Sequence, residues 1–242
     1  IVKAASPAYP GLAANEFLCL TAAREAGIET PTFDLSDDGQ MLVLDRFDLV
    51  MHDDGRVERL GFEDIAALAG LRVRDILSDR KYQGSYQRIA ELLRQLQLPS
   101  DNLHRFFEQV AFSIMVRNGD AHLKNYGLLY RSAEQVWLAP MFDVVTTSIY
   151  TYTQYAGGPE LEDRTLALKL FAGKHHSKAY PTKEELEDFG RRVCGVSQPA
   201  HALARIAQAM HSTMEKAKGD PRVPKALWAQ MAQAWESGYG YA

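Results

Sequence analysis

The chain holds 242 residues, 46% of them hydrophobic, enough to bury a substantial core as one large domain or as two lobes. A net charge of −4 and a pI near 6.0 exclude a generally nucleic-acid-coating surface, while leaving room for a local basic patch. No apolar run reaches transmembrane length and no signal peptide is visible, so no membrane partner is expected.

The chain opens with Ile rather than Met, so its natural start is expected to lie upstream. Ile1, Val2 and Lys3 read as the tail of a strand. Residues 4–12 hold Ser6, Pro7, Pro10 and Gly11 but no Gly-x-Gly-x-x-Gly. Residues 15–26 read as a helix, with apolar or small side chains at Phe17, Leu18, Leu20, Thr21 and Ala22 and a C-cap at Gly27. Glu16 near its start has two readings of equal weight, helix-dipole stabilisation or pairing with a strand lysine. Cys19 sits in this apolar run, far from Cys194, so buried reduced thiols in a reducing cytosol are expected, not a disulfide. Residues 28–33 and 41–44 read as short strands, with a turn at Asp37-Asp38-Gly39. Asp45-Arg46-Phe47-Asp48, on its residues alone, is a strand-end turn with a buried Phe. Asp53-Asp54-Gly55-Arg56 is a hairpin turn, and Phe62-Glu63-Asp64 opens a helix running to about Gly70. Lys81-Tyr82-Gln83-Gly84-Ser85-Tyr86 leads into a helix over 87–96, and Asp101 reads as the N-cap of the next, longer helix.

Leu103, Phe106, Phe107, Val110, Ile114 and Met115 share one face of that longer helix. It runs into Arg117-Asn118-Gly119-Asp120-Ala121-His122-Leu123-Lys124-Asn125, where Asn118-Gly119 is expected to break it, both residues tolerating positive φ. Two apolar runs, 126–130 and 136–138, then read as a β-hairpin, followed by Phe142-Asp143-Val144-Val145. Helix, polar loop, hairpin, Asp is the order of a protein-kinase centre, with five residues from a base Asp to a metal-binding Asn and a second metal-binding Asp beyond a hairpin. Asp120, Asn125 and Asp143 fit those three places. The residue types suit the chemistry, because a transferring phosphoryl group spreads negative charge and Mg²⁺ prefers hard oxygen ligands. Taken singly, each has a plainer reading, since Asn-Gly-Asp is a common turn and Asp-x-His a cap beside a surface imidazole.

The string Asn-Gly-Asp-Ala-His-Leu-Lys-Asn-Tyr-Gly, with Phe-Asp-Val-Val-Thr-Thr behind it, resembles the HipA-like serine/threonine kinases, the toxin halves of bacterial toxin–antitoxin pairs. The likeness spans nearly the whole chain and is sharpest over 105–147. It implies an α+β, protein-kinase-like two-lobed fold: a truncated β-containing small lobe with its hinge over 1–48, and a mainly helical large lobe over 49–242. It implies ATP and Mg²⁺ as cofactors. Asp120 would deprotonate the substrate hydroxyl, Lys124 would stabilise the transferring charge, and Asn125 and Asp143 would hold the metal. Lys3 would grip the phosphates. The backbone of Asp45, Arg46 and Phe47 would face the adenine, with Asp48 near the ribose. His122 would contact the nucleotide, a structural His being its other reading. By the same resemblance the partners are a HipB-like helix-turn-helix antitoxin, DNA only through that antitoxin, and a protein substrate such as an aminoacyl-tRNA synthetase, with growth arrest as the outcome. The family's phosphate-covering loop precedes the Lys3 strand and has no counterpart in this sequence, which predicts a fragment or a weakened ATP site.

Residues 146–158, rich in Thr, Tyr and Gly, occupy the place of a kinase activation segment, with Thr146, Thr147, Ser148 and Tyr150 as hydroxyls near the site. Beyond Glu160 the chain reads mostly as helix, with a short strand over 166–170, a capping box at Thr182 and Glu185, and helices over 183–194, 199–218 and 224–235. Arg191, Arg192, His211, Lys216 and Lys218 read as solvated helix faces or a basic patch. Two rival functions stand beside the protein kinase: a small-molecule kinase of the same fold, and a non-catalytic module docking an antitoxin or DNA. A metal hydrolase using Asp120 and His122 lacks further ligands at suitable spacing, since His175-His176 lies in a Lys-rich loop.

Overall fold

Alternating burial sets the first layer. The structure, a computed structural model, describes residues 1–4, 7–71, 79–153, 158, 160–162 and 164–242. Strand β1 (Val2–Ala4), helix α1 (Leu12–Glu25), β2 (Phe33–Leu35) and β3 (Met41–Leu44) come first, and the strands form an antiparallel sheet in the order β1-β3-β2. Leu42 and Leu44 face inward while Met41 and Val43 face out, the period-2 pattern of a half-buried sheet. Helix α1 begins three residues earlier than its sequence pattern implies and is buried on most sides, with Ala13, Ala14, Leu18, Cys19, Leu20, Ala22 and Ala23 all inside. Residues 28–32 form no strand, and the strand starts only at Phe33.

A hairpin follows, β4 (Leu49–Met51) with β5 (Val57–Arg59), turning at Asp53–Gly55 as read. Next, β6 (Gly61–Asp64) pairs antiparallel with β7 (Gly127–Tyr130), which pairs with β8 (Val136–Leu138). Residues 62–64 therefore do not open a helix. The free edge of β7 takes them as a strand, and Asp64 caps only a short α2 (Ile65–Leu68), its carboxylate accepting from the Ala67 N–H at 2.8 Å. Ser85 caps α3 (Tyr86–Gln95). Helix α4 (Ser100–Met115) starts after Pro99, so Asp101 lies in its first turn instead of capping it. Asn102 does the tying there. Its amide donates to the Pro99 carbonyl at 3.2 Å, and its side-chain oxygen accepts from the Leu138 N–H at 2.7 Å, joining α4 to β8.

The later chain is less helical than expected. Strands β9 (Thr151–Thr153) and β10 (Glu160–Glu162) pair with each other. The segment 166–170 is no strand. Its Leu166, Leu168 and Leu170 are buried, and the Lys169 and Leu170 carbonyls accept the first N–H groups of α3. Helix α5 (Lys183–Asp188) has its capping box and continues through a π turn, Phe189–Val193. Helices α6 (Pro199–Ala217) and α7 (Lys225–Tyr239) complete the fold. One continuous apolar core runs from Phe33, Leu35 and Leu42 through α1 to Phe106 and Phe107, Met210 and Trp235, so residues 1–48 share a core with the rest of the chain. Gly238 lets α7 cross the end of α4, since a Cβ there would lie 2.1 Å from the Met115 carbonyl oxygen. The two cysteines are free and buried, and burial pushes both thiols up to about 12, which leaves them inert. Arg191, Arg192 and Lys216 pair with Glu187, Asp188 and Glu25, so they are neutralised helix faces and not a basic patch. No helix among the described residues is long and apolar enough to cross a membrane.

Candidate active site

The end of α4 sets the site. The helix stops at Arg117, which takes a left-handed backbone (φ 60°), and the Asn118 N–H returns to the Ser113 carbonyl at 2.8 Å. The break falls at Arg117, not at Asn118-Gly119 as expected. The Asn118 side chain accepts from the Asp120 N–H at 3.0 Å, an Asx turn that presents the Asp120 carboxylate. Two anchors hold this loop. The buried Tyr86 hydroxyl donates to the Ala121 carbonyl at 2.9 Å, and the Thr147 hydroxyl accepts from the Gly119 N–H at 2.7 Å.

Strand β1 brings Lys3 into the same place. Its ammonium lies 2.7 Å and 2.9 Å from the two Glu16 carboxylate oxygens and 2.7 Å from Asp143 Oδ1. Of the two readings of Glu16, the structure selects the lysine pair. Asp143 also has a left-handed backbone (φ 56°), a cost of about 1–3 kcal/mol for a non-glycine residue. Its Oδ2 accepts from the Asn125 amide at 2.8 Å. Lys3, Glu16, Asp120, Asp143, Tyr82, Thr147 and Tyr150 line one cavity of about 450 Å³.

Burial sets the charges. Burial lowers the Lys3 pKa, but the Glu16 and Asp143 carboxylates outweigh it and hold the ammonium above its usual value. Burial raises Asp143, but the Lys3 charge and hydrogen bond outweigh it and leave the carboxyl below the usual range. Burial raises Glu16, and here it wins over Lys3. The Asp143 contribution to stability is thus full above the ordinary carboxylate pKa of about 3.9 and fades as pH falls through its lower folded value. The Lys3 contribution is full below about 10.4 and fades as pH rises through its higher folded value. Thermal unfolding scanned from neutral to acid pH should show Asp143→Asn losing less stability on acidification than the parent. An unchanged acid slope would remove Asp143 from that linkage.

Asn125 and Asp143 offer only oxygen ligands, which suits Mg²⁺. The Asn125 side-chain oxygen already accepts from the His122 N–H at 3.0 Å, yet a carbonyl oxygen has a second lone pair, and a carboxylate has more than two acceptor sites. The set therefore fits a cation shared with a phosphate chain. No group of three or more His, Cys, Asp or Glu suited to holding a metal by itself occurs among the described residues.

Four of the expected site residues gather at Lys3, Asp120, Asn125 and Asp143. His122 lies beside them, and Lys124, Asp45, Arg46, Phe47 and Asp48 sit elsewhere. Lys124 does not line the cavity, because its ammonium is drawn to Asp64, 3.2 Å away, the residue that caps α2. His122 is buried under Tyr82, its ring nitrogen Nε2 4.0 Å from Asp120 Oδ1. Burial, the largest effect, lowers its pKa and favours the neutral ring. Asp45, Arg46 and Phe47 line a separate depression with Thr32, Trp137 and Pro140. Arg46 and Asp48 pair with each other. Phe47 is the link between the two places, packing edge-on against Phe62 and tilted against Phe142, the neighbour of Asp143, with centroids 5.4 Å and 5.2 Å away.

Two residues were missed. Tyr82 donates to Asp120 Oδ1 at 2.6 Å. The only sequence signal for it was the Lys81-Tyr82 string, to which no chemistry attached. Asn15 reaches the backbone of Thr146 across 131 residues, a separation no local pattern reveals. The activation-segment hydroxyls are also partly spoken for. Thr146 is buried and accepts from Trp235 Nε1 at 2.8 Å, and Thr147 is bonded to the loop. Residues 154–157 of that segment lie outside the described residues.

The fold and this arrangement define a kinase-like protein. The model of the HipA-like C-terminal domain matches residues 1–218, and the chain belongs to that family. Among curated relatives, "Putative kinase Y4dM" of Sinorhizobium fredii is 32% identical over 165 residues, covering 62% of this chain and 38% of that protein. "Putative kinase Y4mE" of the same organism is 27% identical over 222 residues, covering 89% and 48%. The chain thus spans less than half the length of these relatives. Among solved structures, HipA of Shewanella oneidensis MR-1, in complex with HipB and operator DNA, superposes with a TM-score of 0.68 at 19% identity over 98% of this chain and 56% of that one. The Helicobacter pylori proinflammatory kinase CtkA superposes with a TM-score of 0.64 at 14% identity, over 98% and 85%.

Proposed function

We propose that this chain is the kinase portion of a HipA-like toxin and transfers the γ-phosphoryl group of ATP to a protein Ser or Thr hydroxyl. The observation that carries the reading is the Lys3 ammonium clamped between Glu16 and Asp143, with Asn125 on the other oxygen of Asp143 and Asp120 in the same cavity. Lys3 is placed to grip phosphate oxygens while Glu16 fixes its direction. Asp143 and Asn125 would hold Mg²⁺, which supplies charge neutralisation at the phosphates. Asp120 orients the incoming hydroxyl and takes its proton, a role that requires the Tyr82 hydroxyl to give up Oδ1 or the substrate to use Oδ2. In this reading residues 1–48 are the remainder of a small lobe ending in a hinge, and 49–242 the large lobe. The HipB and operator DNA bound to the Shewanella protein support a HipB-like antitoxin as partner, with DNA reached only through it. An aminoacyl-tRNA synthetase is the substrate we favour, and the cytoplasm the place.

The test supplies γ-labelled ATP and Mg²⁺ to the protein with a cell lysate, then separates protein from metabolites. Label on Ser or Thr of one or a few proteins is the expected result. Label confined to metabolites would make the chain a small-molecule kinase. No label, with no Mg²⁺-dependent nucleotide binding by this chain or a longer one, would leave the docking module.

A further inference from the structure

A second cavity, of about 510 Å³, lies next to the loop that carries Asp120. Thr147 lines the first cavity, and its neighbours Ser148 and Ile149 line the second. Arg117, Arg164, Tyr180, Gln230 and Gln233 complete the wall used here. No Asp or Glu is among its described lining residues. Three kinds of donor converge on it without acceptors. The Arg117 guanidinium is held in place by its Nε bond to Ser237 Oγ at 2.5 Å and by stacking 4.2 Å from the Tyr180 ring centroid. Its two terminal nitrogens donate to no group among the described residues. The Ser148 hydroxyl is buried and has no partner among the described residues. Gln230 and Gln233, one turn apart on α7, make no side-chain hydrogen bond among the described residues.

A buried hydroxyl and a fixed guanidinium that lack acceptors call for a ligand that brings them. The Arg117 guanidinium, with no carboxylate among the described lining residues, sets its sign. We propose that this cavity binds a phosphoryl group, held by Arg117, Ser148 and the α7 amides. A planar carboxylate accepts mainly in one plane, whereas the donors here come from a loop, a 3₁₀ turn and a helix, and a tetrahedral oxyanion meets all three. The volume is that of an ordinary ligand site, several times a bare phosphate, so the phosphoryl group arrives on a larger body such as a phosphorylated side chain. The site is wired to the catalytic loop. The Arg117 carbonyl accepts from both the N–H and the hydroxyl of Thr147, each at 3.1 Å, and the same hydroxyl accepts from Gly119, one residue before Asp120. Occupancy braces Arg117 and, through Thr147, the turn that aims Asp120.

Calorimetric titration of nucleotide-free protein tests this without any transfer reaction, so the result is independent of the kinase reading. Lys3→Met protein is used throughout to silence phosphate binding in the first cavity. The probes are inorganic phosphate, O-phosphoserine and a phosphoserine peptide. One saturable site for phosphate is expected, with tighter binding of the peptide if a side chain is the source and equal binding if the free anion is. Gln233 is exposed, so Gln233→Glu keeps the fold while setting a like charge at the site, and about tenfold or more weaker binding is expected. Ser148→Ala should weaken binding less. Absence of saturable binding, or equal binding by Gln233→Glu and its parent, overturns the site.

Discussion

Asp120→Asn is expected to cut phosphate transfer by about 10²–10⁴-fold, the usual worth of a positioned general base. The change is nearly isosteric. The Asn oxygen can still accept the Tyr82 hydroxyl, and the Asn118 side chain still bonds the backbone N–H of residue 120, so the turn keeps its shape. What is lost is the site for the substrate proton. ATP affinity should hold, because Asp120 makes no contact with Lys3, Glu16 or Asp143. The signature is therefore a fall in kcat with little change in KM for ATP, and a thermal midpoint close to that of the parent. Lys3→Met and Asp143→Asn should behave the other way, losing nucleotide affinity along with rate. An Asp120→Asn protein that transfers phosphate at the parental rate would remove Asp120 from the chemistry. One that arrests growth as the parent does, while inactive in transfer, would favour the docking module.

Local chemistry made much of this legible in the residues. Helix α4, the β7–β8 hairpin, the Thr182 capping box and the Asp53–Gly55 turn follow from periodicity and from Gly, Asp and Thr at positions that need them. Asp120, Asn125 and Asp143 stood out by residue type and spacing, whereas Lys3 was reached only through the family resemblance. What stayed hidden depends on contacts distant in sequence. Phe62-Glu63-Asp64 looks like a helix start until β7, some 65 residues later, offers an edge. Segment 166–170 has a strand's apolar pattern but finds no strand to pair with, and it spends its carbonyls on the first turn of α3. Lys124 has the sequence position of a phosphate-facing lysine, yet Asp64 on a neighbouring element takes its charge. Arg117 carries the positive φ that Asn118 and Gly119 seemed made for, because Thr147 binds its carbonyl and Ser237 its side chain. A left-handed arginine held from both ends is not visible in any local string.

Asn15→Ala should be the most damaging single change to the fold outside the hydrophobic side chains. Asn15 is fully buried on α1, and its amide pairs with a stretch of backbone as a neighbouring strand would. Its oxygen accepts from the Thr146 N–H at 2.8 Å, and its nitrogen donates to the Thr146 carbonyl at 3.0 Å and reaches the Tyr150 hydroxyl at 3.3 Å. Removing the amide strands a buried N–H and a buried C=O together, each worth about 1–3 kcal/mol when left unsatisfied. A loss of about 3 kcal/mol corresponds to about 6–12 °C in Tm for a chain of this size, read by calorimetry. A midpoint within about 2 °C of the parent would show that water fills the gap and that the tie is dispensable. The functional consequence follows from position. Glu16, which aims Lys3, is the next residue on α1, and Thr147, which holds the Asp120 loop, is the next residue after Thr146. One buried amide thus joins the Lys3 side of the cavity to the Asp120 side. Asn15→Ala is expected to raise KM for ATP and lower kcat together, where Asp120→Asn moves kcat alone. Asn15→Asp keeps the acceptor for the Thr146 N–H but turns the donor into a buried carboxylate oxygen facing the Thr146 carbonyl, so it should fail as a rescue.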